Sequence, residues 1–304
     1  MVTISILGAC TPNFPTGTIE KKYYATGPWT PLAMGTGCCD SKGNQYDLYY
    51  PTNLGANGFL HPIITWGNGT GGIPGRVDYF LRHLASWGFV IVATRDGYTH
   101  PGETILDAAN FLVNANADPQ SIFHNKLKVD QIGAVGHSQG AGGAINALIK
   151  SSGSIKIKTV IPIELPAQYF CFCSPGDVID TSKITQGSVF FVDGSLDFVS
   201  PPKQDPSVQG LQSIAAFYDA VPNSVRKLKG TLIGPTHNDI SGQPSCATAV
   251  PPCVNGVYGY LGYPTAWMMD QLQGDSFAHG AFVHGSGEMF TQTKNWEFVE
   301  SNIP

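Results

Sequence analysis

The chain has 304 residues, a formal charge of −5 at neutral pH, 13 % charged residues, 36 glycines and 22 prolines. That length suits a single α/β enzyme domain with a large core, and the composition suggests a compact, loop-rich protein rather than a disordered one. The acidic balance offers no field for nucleic acid, and no apolar run reaches the roughly 18 residues that cross a bilayer, so a soluble chain is expected.

Residues 1–40 are polar and rich in Gly and Pro, and are expected to be irregular. Beyond them, short β-rich runs alternate with helical patterns. Gln45 to Tyr50 alternates as a strand does, and Pro62 to Trp66 is a short apolar strand. Val77, Phe80, Leu81 and Leu84 give Arg76 to Trp87 a helical period, and Phe89 to Thr94 reads as a buried strand. Ile105, Ala109, Leu112 and Val113 form one face of a helix over Glu103 to Asn114. A strand over Gln131 to Val135 and a helix over Ala141 to Lys150 follow, then strands at Ile157 to Ile163 and Ser188 to Asp193. Leu211, Ile214, Ala215 and Tyr218 suggest a helix over Val208 to Ala220. Lys227 to Ile233 is the last predicted strand and Thr265 to Leu272 the last predicted helix; the tail beyond Gly274 shows no clear pattern. The alternation predicts a mainly parallel central sheet with helices on both faces, in one domain over 1–304 without repeats or linkers.

There are seven cysteines, at 10, 38, 39, 171, 173, 246 and 253. That number favours an oxidising compartment. Cys38 and Cys39 are adjacent and Cys171 and Cys173 nearly so, which disfavours a bond within either pair, so the first pair is expected to bond to the second. Cys246 and Cys253 would staple a loop over 238–262. Leu7-Gly8-Ala9-Cys10 has the form of a bacterial lipobox, but the stretch before it is too short for a full signal peptide; it is either the end of a truncated signal or a chance match, and chance is favoured.

Gly136-His137-Ser138-Gln139-Gly140 matches the G-x-S-x-G nucleophile elbow. The motif gains weight from the apolar strand before it and the small-residue helix after it. A serine needs a base oriented by an acid, and in this fold the order is Ser, acid, His. Of the histidines after Ser138, His237 follows a strand directly, whereas His279 and His284 lie in the unpatterned tail. Asp193 and Asp197 compete for the acid; Asp197, beyond a Gly turn, is favoured, and Glu164 is a distant third. The oxyanion needs two N–H donors, one from Gln139 and one from the loop Gly67-Asn68-Gly69-Thr70-Gly71-Gly72. That loop lacks the endings of nucleotide-binding loops, and neither cofactor nor metal is expected.

Together, YDLYYPTN (46–53), HLASWGFVIVATRD (83–96), VDQIGAVGHSQGAGGA (129–144), DGSLDFVSP (193–201), GPTHN (234–238) and AWMMDQL (266–272) resemble bacterial cutinases and poly(ethylene terephthalate) hydrolases, with chlorophyllases and dienelactone hydrolases as broader relatives. The resemblance implies an α/β-hydrolase fold, Ser138, Asp197 and His237 as nucleophile, acid and base, and backbone oxyanion donors at Asn68 and Gln139. Trp66, Gly67, His137 and Leu165 are the expected substrate-binding positions. Three departures bear on specificity. Trp66-Gly67-Asn68 stands where the family has Pro-Gly-aromatic, Gln139 where Met is usual, and Glu164-Leu165-Pro166-Ala167-Gln168 where a substrate-stacking Trp is common. These departures predict weak action on aromatic polyesters.

The expected function is a serine carboxylic ester hydrolase, cutinase-like or polyesterase-like, acting on an ester that is small, polymeric or lipid. It is expected to be a monomer, secreted or in the cell envelope, with a cytoplasmic location left open. The alternatives are a small-ester esterase or lipase and, from another class, a non-catalytic ligand-binding protein on a hydrolase scaffold.

Overall fold

The computed structural model describes residues 15–304 apart from 172, 175 and 176. Cys10 and the lipobox-like segment lie outside the described residues. Nine strands form one sheet: β1 (Pro31–Gly37), β2 (Tyr46–Pro51), β3 (His61–Gly67), β4 (Val90–Thr94), β5 (Leu127–His137), β6 (Ile157–Ile163), β7 (Ser188–Gly194), β8 (Arg226–Leu232) and β9 (Trp296–Ser301). Their order is β1-β2-β4-β3-β5-β6-β7-β8-β9. The run from β4 to β8 is parallel, while β1, β2 and β9 pair antiparallel at the edges. This is the α/β-hydrolase fold.

Side chains alternate between two apolar cores. Ile91, Phe190 and Val192 face one, which is closed by α1 (Thr18–Tyr24), α2 (Asp78–Ser86) and α6 (Tyr258–Gln273). Val90, Val92, Val189 and Phe191 face the other, under α3 (Glu103–Ala117), α4 (Gln139–Lys150) and α5 (Ile214–Ala220). A short α7 (Ser276–His279) follows α6. Central strands buried on both faces read as continuous apolar runs, which is why they stand out in the sequence. Among the described residues, no helix is long and apolar enough to cross a membrane.

The structure departs from the sequence expectations at several places. Residues 1–40 are not irregular throughout, since α1 and β1 lie there; Gly35 and Gly37 hide β1, and Gly37 pairs across a register shift. The helix expected over 208–220 begins only at Ile214, because Gly210 sits at φ +80° and the Ser213 hydroxyl caps the helix by accepting from the Ala216 N–H. Conversely, α6 starts at Tyr258 and runs through Pro264, so the loop expected over 238–262 ends before Tyr258. Burial of this helix outweighs the intrahelical hydrogen bond that Pro264 cannot make.

The disulfides are Cys38–Cys39, Cys171–Cys173 and Cys246–Cys253. The expected bond between the first two pairs does not form. Cys38 follows β1 and Cys171 follows β6, and four strands lie between β1 and β6 in the sheet. At about 4.8 Å per strand, that separation far exceeds the reach of a disulfide.

Trp267 on α6 is fully buried against Phe190 and Phe282, and its Nε1–H donates to Thr159 Oγ1 at 2.7 Å. Trp267→Ala should lower the free energy of unfolding by about 3–5 kcal/mol in a urea titration; a loss under about 1 kcal/mol would show that this contact does not hold α6 to the sheet.

Candidate active site

Ser138 stands between β5 and α4 with φ 57° and ψ −129°, a strained conformation held by close backbone packing. A side chain at Gly136 would overlap the Gly140 carbonyl, and one at Gly140 would overlap the carbonyls of Gly67 and Asn68. The Ser138 N–H donates to Ile163 O at 3.0 Å, which ties the turn to β6.

Ser138 Oγ lies 2.8 Å from His237 Nε2, and His237 Nδ1 lies 2.7 Å from Asp197 Oδ2. The Asp197 side chain is fully buried, and its Oδ1 accepts from the Val199 N–H at 2.8 Å. The loops carrying Asp197 and His237 are joined to each other. Ser195 N–H donates to Leu232 O, Leu196 N–H to Pro235 O, and Gly234 N–H to Ser195 Oγ. Asp239 fixes the far side of the His237 loop, accepting from Thr236 on one oxygen and from the N–H groups of Val254, Asn255 and Gly256 on the other.

The other acid candidates behave differently. Asp193 is buried in β7 and accepts from Thr231 Oγ1 at 2.8 Å; burial pushes its carboxyl well above the usual range. Glu164 is also fully buried, at φ 52° just after β6. Its Oε2 lies 3.1 Å from His137 Nε2 and 4.0 Å from His237 Nδ1, and Tyr260 OH donates to its Oε1. His279 pairs with Asp270 and His284 with the Ser301 carbonyl, and neither reaches a cavity that holds Ser138.

Ser138 opens into two cavities. The first, of about 250 Å³, is lined by Trp66, Asn68, Thr70, Ile73, Arg76, His137, His237, Asn238, Ser241 and Val250 among others. The second, of about 240 Å³, is more apolar and is bounded by Tyr98, Gln139, Leu165, Phe170, Val199, Phe217 and the Cys171–Cys173 disulfide. Aromatic side chains thus do reach the site, but from positions that the motif comparison did not flag. Tyr260 and Tyr263, which follow His237 in the chain, are buried in the core.

Of the expected substrate-binding residues, Leu165 lines the second cavity and Trp66 the first. Trp66 is almost wholly buried, and its Nε1–H donates to Asn68 Oδ1. Gly67 lines neither cavity: it is packed between Ile105 and the Gly140 carbonyl, so its role is to admit α4. Asn68 is buried, with its amide donating to the Thr94 and Asp96 carbonyls. Gln139 begins α4, where first-turn N–H groups have no partner within the helix; its side chain holds the 97–100 segment through Gly97 O and His100 N–H. His137 lines the first cavity, but its Nε2–H donates to the His237 carbonyl at 2.7 Å, which fixes the His237 loop from behind.

Three groups bring ligand-type atoms within 4.8 Å of one another among the described residues: His100, Cys171 and Cys173; His137, Glu164 and His237; and Asp239, Cys246 and Cys253. The cysteines are bonded as disulfides, His237 bridges Ser138 and Asp197, and Asp239 holds backbone N–H groups. These donor sets do not fit a metal.

Burial, and then the neighbouring His237, lower the His137 ring to a pKa of about 3. Its folded value lies below its unfolded one, so the unfolded chain takes up the extra proton between about pH 6.5 and 3. The His137 contribution is complete above that window and is lost as pH falls through it. By NMR the His137 ring should show no titration between about pH 5 and 8, and a midpoint near 6.5 would contradict a buried neutral ring.

The family model described as "PETase: PET hydrolase-like" matches residues 23–174, half of the chain, a span that holds β1 to β6 and Ser138. Lipase 1 of Moraxella sp. (strain TA144) is 28 % identical over 124 residues, covering 38 % of this chain; the chain spans 35 % of that relative's length. The elbow at Ser138, the parallel strands that present it and the extent of the family match agree: the chain belongs to the PET hydrolase-like family of α/β-hydrolases.

Proposed function

We propose that the protein is a serine carboxylic ester hydrolase that works through an acyl-enzyme. The observation that carries this reading is the hydrogen-bonded chain from Ser138 Oγ through His237 to Asp197, which opens directly into two cavities. Ser138 attacks the ester carbonyl while His237 Nε2 takes its proton, and Asp197 holds the ring and stabilises the imidazolium. The backbone N–H groups of Asn68 and Gln139 receive the oxyanion. His237 then protonates the departing alcohol, and a water activated by the same ring releases the acid.

The cavities suggest how the ester lies. The leaving oxygen must reach His237 Nε2, and His237 lines only the first cavity. The alcohol therefore occupies that cavity, beside Arg76 and Asn238, and the acyl chain enters the apolar one beside Leu165 and Phe170. The exposed apolar side chains of Ile73, Tyr169 and Phe198 favour a substrate presented at a surface, such as a lipid or an aliphatic polyester. The aromatic walls of the acyl cavity also give aromatic acids a contact that the motif comparison alone would deny. Three disulfides in one chain support secretion or an envelope location.

A fluorophosphonate should label Ser138, and Ser138→Ala or His237→Ala should lower kcat by about 10⁴ or more with the fold intact. An unlabelled protein with no esterase activity would instead support the ligand-binding reading. Leu165→Trp, which fills the apolar cavity, should reduce kcat/KM for p-nitrophenyl octanoate at least about tenfold more than for the acetate. Equal losses on the two esters would overturn the placement of the acyl chain.

A further inference from the structure

The Ser138–His237–Asp197 reading leaves Glu164 unused, although it is a fully buried carboxyl within reach of the base. We propose that Glu164 is a second acid behind His237, a positioning residue able to orient and stabilise the imidazole when Asp197 cannot. The proposal rests on the triad reading above.

The geometry is specific. Asp197 Oδ2 holds His237 Nδ1 at 2.7 Å, and Glu164 Oε2 stands 4.0 Å from the same nitrogen. A shift of about 1 Å in ring or carboxyl closes that gap to a hydrogen bond. Glu164 is not placed there by relaxed backbone. It sits at φ 52°, a conformation that a glycine would adopt without strain, and its N–H is pinned to Val192 O at 2.7 Å. Tyr260 OH holds one oxygen, and His137 Nε2 lies 3.1 Å from the other. His137 also holds the carbonyl of His237, so the same cluster fixes the backbone of the base.

The electrostatics of the cluster single out Glu164. Burial, and then the neighbouring Asp197, raise the Glu164 carboxyl well above the usual range, with smaller contributions from Asp239 and Asp193 and against the hydrogen bond from Tyr260. Of the neighbouring carboxyls Asp197 raises it most, so Asp197→Asn removes the largest of the repulsions on Glu164. The imidazolium formed when Ser138 attacks would then favour ionised Glu164, and its carboxylate would take over the Nδ1–H.

The test is a double-mutant cycle on kcat/KM for p-nitrophenyl butyrate across pH, in the wild type, Asp197→Asn, Glu164→Gln and the double variant, with each fold checked by circular dichroism. Glu164→Gln alone should cost less than about tenfold, whereas the same change in the Asp197→Asn background should cost about 100-fold or more. Activity of Asp197→Asn should rise at higher pH than in the wild type, because it needs ionised Glu164, and that rise should vanish in the double variant. Equal factors in both backgrounds, or an Asp197→Asn variant no more active than His237→Ala, would overturn the proposal. If Glu164→Gln does not fold, Glu164→Met, of similar length and without polar atoms, carries the same cycle. Ser138→Ala separates the two levels: if it stays active the triad reading fails, and if it is inactive while the cycle is additive only the second acid falls.

Discussion

Gly140 lies against the carbonyls of Gly67 and Asn68 so closely that no side chain fits between them. The start of α4 is thereby seated on the end of β3, and the parallel registry of β3 with β5, Trp66 beside Val135 and Gly67 beside Gly136, fixes where that contact falls. The strained turn at Ser138, the first N–H groups of α4 and the Gly67–Gly72 loop follow from this one approach. A family that relies on it needs glycine at several positions of short, small-residue sequence, so the elbow is recognisable in the primary structure.

The opposite half of the site is organised by hydrogen bonds between loops. The loops after β7 and β8 are joined through Ser195, Leu196 and Gly234, so Asp197 and His237 are held in one piece. His137, one residue before Ser138, holds the backbone of His237, which ties this piece to the turn at Ser138. The distances between Oγ, the imidazole and the carboxylate are therefore set by backbone contacts on both sides. Under the proposed mechanism, orientation fixed before substrate arrives is worth more than contacts formed on binding.

The legibility of these features differs for physical reasons. The central strands are buried on both faces, and the apolar runs at 89–94, 157–163 and 188–193 reveal them directly. The edges do not: β9 has Glu297 and Glu300 three residues apart and out of step with a strand's alternation, it pairs with a single neighbour, and β1 contains glycines, so neither carries a strong pattern. The residues proposed as nucleophile, acid and base each follow a readable strand, and the spacing of strand, glycine and polar residue suggested them. Glu164 follows one too, but its significance depends on Tyr260 and His137, which lie 96 and 27 residues away in the chain. No local spacing encodes that meeting. The disulfides misled because the distance between two loops across a sheet is not written in the number of residues between them.

Those disulfides bridge residues 1, 2 and 7 positions apart in sequence. Bonds that close such short loops remove little freedom from the unfolded chain, so they contribute less to global stability than a long-range bridge would. One of them forms part of the wall beside Phe170, and another closes the segment that contributes Val250 to the first cavity. Their effect is accordingly local: these two shape the walls of the two cavities that meet at Ser138, and the nine-stranded sheet is held by its own pairing and packing.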